Sequence, residues 1–331
     1  MVVSPLENQR DKVIISLNIL HMLEKSFTIY IISGYPNRAE FLKRALKSAI
    51  EQNYSNFNIV IRLGYDIPEL DNLINDKVTI SYFDHESIKV GKKLGRNIAE
   101  SLEYFNDYVC FLDDDDYFTT DKLKKINSEF ENGVVYVHNG STAIDESGKE
   151  LNYYNDRDDF NMSSISVATH IIEKKFFYDL DSSVDTGIYL CAVKNGHLKF
   201  IEDKLTYYTI HNSTTMGKSG EFQEWRKKKL HSYKNIIQPT YKYMLTYFGG
   251  TKAEIYARRM LEINTVFLEI YNGRPVEEHV GLFKRMKLAM VKPYVRSRDS
   301  FAAKVLLASI FSKEKVLRLL YSNDIELSKK I

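Results

Sequence analysis

Residues 108–116 read Tyr-Val-Cys-Phe-Leu-Asp-Asp-Asp-Asp, an apolar β-strand pattern that runs directly into four consecutive aspartates. Adjacent carboxylates repel one another, and the arrangement is costly unless a counter-charge lies close by. A divalent cation supplies such a charge, and hard oxygen ligands favour Mg²⁺ or Mn²⁺. The residues also allow a solvated acidic turn, because Thr119-Thr120-Asp121 is typical of a helix start.

Three further strands are predicted upstream of this stretch, at Phe27–Ile32, Phe57–Leu63 and Val78–Phe83. Strand and helix patterns alternate through this part of the chain, which predicts an α/β fold with a doubly wound, mostly parallel sheet. In such sheets, ligands bind beyond the carboxyl ends of the strands. We therefore expect a site where three turns meet: Ser33–Asn37, Gly64–Asp66 and Asp113–Asp116.

Beyond the aspartates the pattern changes to shorter elements and then to helices. A strand is predicted at Val134–Val137, a hairpin turn at Asp145–Gly148 and a late strand at Leu205–Ile210. From about residue 221 the pattern is helical, with one break at Tyr247–Gly250. We therefore expect an α/β domain over residues 1–220, with a helical extension at 1–25, and a helical C-terminal region over 221–331.

Charge is divided unevenly between these two parts. Residues 221–331 hold 22 Lys+Arg and 11 Asp+Glu, a balance of +11, whereas the remainder holds 24 and 33, a balance of −9. A basic helical region is typical of proteins that bind phosphate-rich or anionic membrane surfaces. No nucleic-acid-binding motif accompanies the charge, which argues against a nucleic-acid partner.

Cysteine usage and the N-terminus indicate the compartment. Cys110 and Cys191 both lie in apolar runs, which predicts buried free thiols in a reducing environment. The N-terminus lacks a signal-peptide pattern, and no stretch approaches the roughly 20 apolar residues of a spanning helix. We expect a cytoplasmic protein, peripheral at the inner face of the membrane if the basic helices bind lipid.

The order of motifs resembles that of family 2 glycosyltransferases of the GT-A fold, over about residues 26–216. That family has an opening strand and turn, an Arg-Asn pair, a Leu-Asp-x-Asp-Asp strand end, a later acidic residue and a late histidine. The corresponding parts of this chain are Phe27–Arg38, Arg96-Asn97, Leu112–Asp116, Asp185 and His211. The resemblance implies an inverting transferase that moves a sugar from a nucleotide-diphosphate donor to an acceptor hydroxyl.

The resemblance also assigns roles to individual residues. Asp115 is the expected principal ligand of Mn²⁺ or Mg²⁺, His211 completes the metal shell or holds a phosphate oxygen, and Asp185 is the general base. Asp185 also suits a helix N-cap, and a lone histidine is commonly structural, so these alternatives stay open. Asp116 is expected to lie behind the metal ligands. The candidates around the nucleotide sugar are Ser33, Tyr35, Arg38, Asp66, Arg96, Asp113 and Asp114.

Two departures from the family pattern affect specificity. The second strand of the family ends in an acidic pair that recognises the base, whereas this chain has Arg62-Leu63-Gly64-Tyr65-Asp66. Asp66 is the residue that would substitute for the pair. The family's Glu-Asp at the base position is Val184-Asp185 here, which leaves Asp185 alone to act.

The sequence leaves several partners and two other functions open. A UDP- or GDP-sugar is the expected donor, and the acceptor is a glycan, a lipid-linked molecule or a protein. The basic C-terminal helices fit an anionic membrane, the catalytic domain, or a second subunit in a homodimer. A sugar-phosphate nucleotidyltransferase and a non-catalytic, carbohydrate-binding GT-A relative are the alternative functions.

Overall fold

The computed structural model describes residues 24–34, 36–83, 90–151, 161–210, 221–290, 305–310 and 312–329. Eight strands form one sheet in the order β3-β2-β1-β4-β7-β6-β8-β5. The strands are β1 (Phe27–Ser33), β2 (Phe57–Leu63), β3 (Val78–Tyr82), β4 (Tyr108–Asp113), β5 (Tyr117–Phe118), β6 (Val134–Ile144), β7 (Ile165–Ala168) and β8 (His197–Thr209).

Helices cover the sheet and make up most of the chain beyond it. Those of the first part are α1 (Ala39–Ile50), α2 (Val90–Ser101), α3 (Lys122–Asn127), α4 (Lys174–Asp179) and α5 (Val184–Asn195). Those beyond β8 are α6 (Phe222–Ser232), α7 (Gln238–Tyr247), α8 (Glu254–Asn272), α9 (Leu282–Met290) and α10 (Lys313–Lys329), with a further helical turn at 305–310.

The parallel part of the sheet determines where the site lies. Strands β3, β2, β1 and β4 pair in parallel, so their carboxyl ends share one edge. Ile32 of β1 is in register with Asp113 of β4, and Ser33 is in register with Leu63 of β2. The predicted meeting of the turns after β1, β2 and β4 is confirmed by this register.

The two faces of the sheet carry separate apolar clusters. Along β1, Ile29 and Ile31 contribute to the cluster beneath α1 and α3, whereas Tyr30 contributes to the cluster beneath α2, α4 and α5. This alternation follows from the two-residue period of a strand. Helices on both faces confirm the doubly wound α/β fold, with antiparallel pairing added at β7 and β5.

Two strands differ in length from the predicted ones. Strand β2 is joined to β3 by a 3₁₀ helix at Pro68–Leu73, for which the sequence analysis placed no element. Strand β6 extends beyond Val137 to Ile144, and β8 begins at His197 rather than at Leu205. These two strands pair in parallel with each other from Val134 and His197 to Ile144 and Thr209, so their pairing extends both beyond the apolar runs that local patterns indicate.

The C-terminal helices divide between two cores. Tyr241 and Met244 of α7 pack into the cluster beneath the sheet, whereas Trp225 packs with residues of α8, α9 and α10 in a third cluster. The predicted break after Tyr247 is confirmed, because α7 ends there and α8 begins at Glu254. In the described part of the chain, no helix is both long enough and apolar enough to cross a bilayer.

Candidate active site

The aspartates after β4 do not share one environment. Asp114 is buried, and its Oδ2 accepts a hydrogen bond from Ser33 Oγ at 2.5 Å. Its Oδ1 accepts one from Arg38 Nη1 at 2.7 Å. Arg38 follows the turn after β1. Two of the predicted residues, Ser33 and Arg38, therefore contact a third, Asp114. Because burial and Asp115 raise the pKa of Asp114, the hydrogen bonds from Arg38 and Ser33 are needed to favour its ionised form.

Asp115 faces the same guanidinium but lies nearer to solvent. Its Oδ2 lies 3.1 Å from Arg38 Nη1, and its side chain is 14% exposed. Its backbone carbonyl accepts a hydrogen bond from Arg44 Nη2 at 2.9 Å, and the same Nη2 donates to Thr209 Oγ1 at 2.7 Å. Arg44 therefore ties the acidic turn to the end of β8 and fixes where the Asp115 carboxylate lies.

Asp116 is turned into the protein. It is fully buried, and its carboxylate accepts hydrogen bonds from Ser163 Oγ at 2.6 Å and from the Thr209 backbone at 2.8 Å. Beneath it, the buried Lys122 donates to Ser163 O at 2.5 Å and to Thr206 Oγ1 at 3.1 Å. Burial lowers the pKa of Lys122 to about 7. These contacts give Asp116 a supporting position behind the other carboxylates.

Asp113 has few compensating contacts for its charge. Its backbone N–H donates to Ser163 Oγ at 2.9 Å, which fixes the end of β4. Burial first, and then the neighbouring Asp115 and Asp114, raise the pKa of Asp113 to about 8, and Arg38 only partly opposes this. Asp185 adds to the same electrostatic repulsion. The structure therefore brings Asp185 to the acidic cluster, although the two residues are far apart in sequence.

Asp185 lies in the first turn of α5, where the helix dipole favours a negative charge. The residue at the N-cap, Ser183, has the left-handed backbone conformation, with φ 57° and ψ 47°. Such a conformation costs about 1–3 kcal/mol for a residue other than glycine and is found disproportionately at functional sites. A Cβ on Gly187 would lie 2.9 Å from Phe176 Cε1, so α5 packs closely on α4 and is held rigidly.

The turn after β2 reaches the cluster through Tyr65. Ser33 Oγ already donates to Asp114, so the Tyr65 hydroxyl is the donor in its 3.1 Å contact with Ser33 Oγ. Asp66 is exposed and accepts a hydrogen bond from Tyr82 at 3.3 Å. Asp66 thus lies at the outer end of the turn, and Tyr65 is the part of it that contacts the acidic cluster.

Arg96 contacts residues other than the aspartates. Its Nε donates to Glu100 Oε1 at 2.7 Å, and its guanidinium lies 4.8 Å from the Tyr178 ring centroid. The other Glu100 oxygen pairs with Arg62 at 2.8 Å. Arg62, at the strand end where the family has its acidic pair, is thereby held buried beneath α2. A Cβ on Gly95 would lie 2.5 Å from Phe177 O, which explains how closely α2 approaches α4.

Tyr35 and His211 lie outside the described residues, so their predicted roles stay predictions. Among the described residues, no three His, Cys, Asp or Glu side chains form a ready-made metal cage. Mg²⁺ and Mn²⁺ sites of transferases do not require one, because such ions commonly take one or two carboxylates together with substrate phosphates. Asp115, whose side chain is partly exposed, and the adjacent Asp113 fit that requirement.

Four residues at this site were missed by sequence reasoning, and they are Arg44, Tyr65, Lys122 and Ser163. Tyr65 lies in the Gly64–Asp66 turn, which was expected to reach the site, so its contact with the site could have been predicted. The sequence contains no comparable signal for Lys122, because lysine in a charged segment normally predicts an exposed side chain.

An α/β sheet with an acidic cluster at the carboxyl ends of its parallel strands defines the class of fold, and comparison with known proteins shows which family this part of the chain resembles. The model of the family described as "Glycosyl transferase family 2" matches residues 31–188. That segment runs from β1 to α5 and includes the acidic cluster and Asp185. The predicted resemblance to this family is confirmed over that segment, which is a little under half of the chain.

Relatives in curated collections agree with that assignment. An uncharacterized glycosyltransferase of Rickettsia conorii is 28% identical over 145 residues, which are 41% of this chain and 22% of that protein. One of Haemophilus influenzae is 27% identical over 128 residues, which are 37% of this chain and 50% of that protein. The matched segment therefore spans no more than half the length of these relatives.

A solved structure confirms the GT-A fold. A mannosyltransferase from Pyrobaculum calidifontis, in complex with GDP-Man and Mn²⁺, superposes with a TM-score of 0.51 at 12% identity. The superposition covers 93% of this chain and 86% of that one, so the likeness extends into the C-terminal helices.

Proposed function

We propose that the protein is an inverting, metal-dependent glycosyltransferase that moves a sugar from a UDP- or GDP-sugar to an acceptor hydroxyl. The observation that carries this proposal is the convergence of Asp113, Asp114 and Asp115, at and just after the end of β4, with Asp185 of α5. Arg38 is the basic side chain paired with two of these carboxylates. Such a site has an excess of negative charge, which suits a divalent cation, and the bound cation would in turn attract a diphosphate.

Asp115 and Asp113 would hold the metal ion, and His211 is the candidate for a further ligand. A divalent ion held there would supply positive charge that stabilises the negative charge of the departing nucleotide. Asp114 remains paired with Ser33 and Arg38, which gives it a role in shaping the donor pocket. Asp116 supports the turn through Ser163 and the Thr209 backbone.

Asp185 would act as general base toward the acceptor. An acceptor hydroxyl must lose a proton as its oxygen attacks the anomeric carbon, and the diphosphate leaves from the opposite side of the ring. That displacement inverts the anomeric configuration. The first turn of α5 and its close packing on α4 give this carboxylate a rigid position, which general-base catalysis needs.

Recognition of the nucleotide is expected to depend on the turns after β1 and β2. Tyr65 lies beside Ser33 and Asp114 and offers an aromatic ring close to the expected donor pocket. We add Tyr65 to the predicted set of Ser33, Tyr35, Arg38, Asp66 and Arg96. Arg96 would act at the periphery, since its described contacts are with Glu100 and Tyr178.

A donor-turnover assay tests this function. The protein is incubated with a panel of UDP- and GDP-sugars with and without Mn²⁺, and release of the nucleoside diphosphate is measured. We expect one donor class to be consumed in a Mn²⁺-dependent way, and Asp115→Asn to abolish the release. Release of pyrophosphate from a nucleoside triphosphate and a sugar phosphate would instead identify a nucleotidyltransferase. Absence of turnover with every donor would contradict the proposal.

A further inference from the structure

Helix α9 exposes an apolar surface that the catalytic site does not use. Phe283 is 86% exposed and Met290 is 74% exposed, and the side chains of Leu282 and Met286 are exposed as well. At about 100° per residue, these four side chains cover roughly a 100° sector of the helix. They form one continuous strip, which we call the α9 strip, and a strip of this kind marks an interaction surface.

The opposite side of α9 fixes the orientation of the strip. Leu288 is buried in the third apolar cluster. Arg285 is buried and forms an ion pair with the buried Glu269, and its Nε donates to Val280 O at 2.7 Å. Turning the strip inward would break this ion pair and leave Glu269 without its principal counter-charge, so the helix presents the strip outward.

Positive charge borders the strip on one side. Lys287 and Lys284 follow the apolar sector around the helix, and both are exposed. Lys284 pairs with Glu262 of α8 at 2.5 Å, whereas the wider region 221–331 carries a balance of +11. An outward apolar strip flanked by lysines is typical of helices that lie in the headgroup layer of an anionic membrane.

We propose that the α9 strip docks on an anionic lipid surface, with Phe283 and Met290 entering the boundary between headgroups and acyl chains. Lys287 then contacts the lipid phosphates. A second copy of the chain would also cover an apolar strip, but it would bring two lysine-flanked surfaces together, which is electrostatically unfavourable. Anionic lipid supplies both an apolar layer and the opposite charge. This surface is separate from the donor site, and it would hold the proposed transferase at a membrane.

Vesicle co-sedimentation of the full chain tests the surface. The vesicles are phosphatidylcholine alone or phosphatidylcholine mixed with phosphatidylglycerol, and the variants are Phe283→Ser with Met290→Ser, Lys287→Gln, and the control Ile255→Ser. Ile255 is 71% exposed on α8, so its substitution removes a comparable apolar group elsewhere. We expect binding to the mixed vesicles only, reduced about tenfold or more by the double substitution. Lys287→Gln should reduce it severalfold, and Ile255→Ser should leave it unchanged.

Melting curves of each variant show whether the fold is retained, and all four substituted side chains are exposed, so unchanged curves are expected. Equal binding of the double variant and the wild type would overturn the proposal. So would a wild type that ignores both kinds of vesicle, or a dimer in lipid-free solution that the double substitution converts to monomer without a loss of vesicle binding. Donor turnover by the double variant should match that of the wild type, which separates this surface from the catalytic site.

Discussion

In the described part of the chain, two groups of side chains centre on acidic residues, the Glu269 cluster of the C-terminal region and the aspartate cluster at the end of β4, and they differ in how the negative charge is balanced. In the C-terminal region, Glu269 is fully buried and its two oxygens are matched by Arg285, by Val280 N at 3.0 Å and by His279 Nδ1 at 2.8 Å. At the end of β4, four aspartates follow one another, and among the described residues Arg38 forms ion pairs with Asp114 and Asp115.

This difference separates a structural cluster from a functional one. The Glu269 cluster joins α8, α9 and the start of α10, since Lys313 also lies 3.8 Å from Glu269 Oε2. It needs no ligand because its donors satisfy its acceptors. The aspartate cluster keeps excess negative charge, and burial together with the repulsion from Asp115 and Asp114 raises the pKa of Asp113 to about 8. A cationic ligand would relieve the repulsion, which is what a transferase that binds a metal–diphosphate pair requires.

Substitution of the proposed base should give the largest effect. Asp185→Asn keeps the size of the side chain but removes the proton acceptor, so we expect kcat to fall by about 10²–10⁴-fold. Donor binding, measured by thermal shift, should be retained. The control is Asp179→Asn. Asp179 is an exposed acidic residue at the end of α4, and its substitution should leave turnover unchanged. Equal loss of binding and turnover in Asp185→Asn would show that the residue is structural instead.

The Glu269 cluster should respond in stability rather than in activity. Glu269→Gln leaves Arg285 buried without its partner, so we expect the free energy of unfolding to fall by about 3–5 kcal/mol in urea denaturation. Glu224→Gln, which removes one partner of an exposed pair with Lys228, should change it by less than about 0.5 kcal/mol. If Glu269→Gln and Glu224→Gln were equally stable, the structural role assigned to the Glu269 cluster would be wrong.

We expect stability and Mn²⁺ affinity to depend on pH through the acidic site, with an effect of intermediate size. The pKa of Asp113 is higher in the folded protein than in the unfolded chain, so the folded state binds the extra proton and loses stability as the pH rises toward 8. Mn²⁺ affinity should change in the opposite direction, with a gain of up to about tenfold per pH unit below that pKa. Titration of Mn²⁺ by electron paramagnetic resonance measures this, and Asp113→Asn should flatten the profile. An equally steep profile in the variant would assign the proton to another group.

Arg38 should give the smallest effect of the four. In the free protein its guanidinium pairs with Asp114 and Asp115 and so competes with a cation. Arg38→Gln should therefore raise the Mn²⁺ affinity of the free protein by about threefold to tenfold, measured by the same titration. Lys43→Gln removes a positive charge from α1 that pairs with Glu40, and it should have no such effect. Weaker Mn²⁺ binding by Arg38→Gln would contradict the competition.

The sequence predicted the elements that depend on local pattern. The strand Tyr108–Leu112, the turns after β1 and β4 and the helical region beyond residue 221 are all signalled by apolar periodicity and turn residues. Ile32 is in register with Asp113 because β1 pairs directly with β4. A parallel sheet allows this pairing, but the local sequence pattern does not specify it. The site could therefore be located at one sheet edge before its contacts were known.

Contacts between distant segments could not be predicted in the same way. Ser163 reaches Asp116 only because the segment before β7 returns beneath the end of β4. Lys122 is buried because Ser163 O and Thr206 Oγ1 accept its hydrogen bonds, and neither partner is near it in sequence. The exposure of the apolar side of α9 could not be predicted either, because it depends on the burial of Arg285 and Leu288 on the opposite side of the helix.

A thermal-shift titration with nucleoside diphosphates tests the central claim most directly. UDP, GDP and related nucleotides are added with and without Mn²⁺ to the wild type and to Asp115→Asn. A ligand at 100 times its dissociation constant stabilises a protein by about 2.7 kcal/mol, which is enough to raise the melting temperature measurably. We predict a Mn²⁺-dependent rise with one nucleotide that is lost in Asp115→Asn. No rise with any nucleotide, or an undiminished rise in the variant, would contradict a metal–diphosphate site at the end of β4.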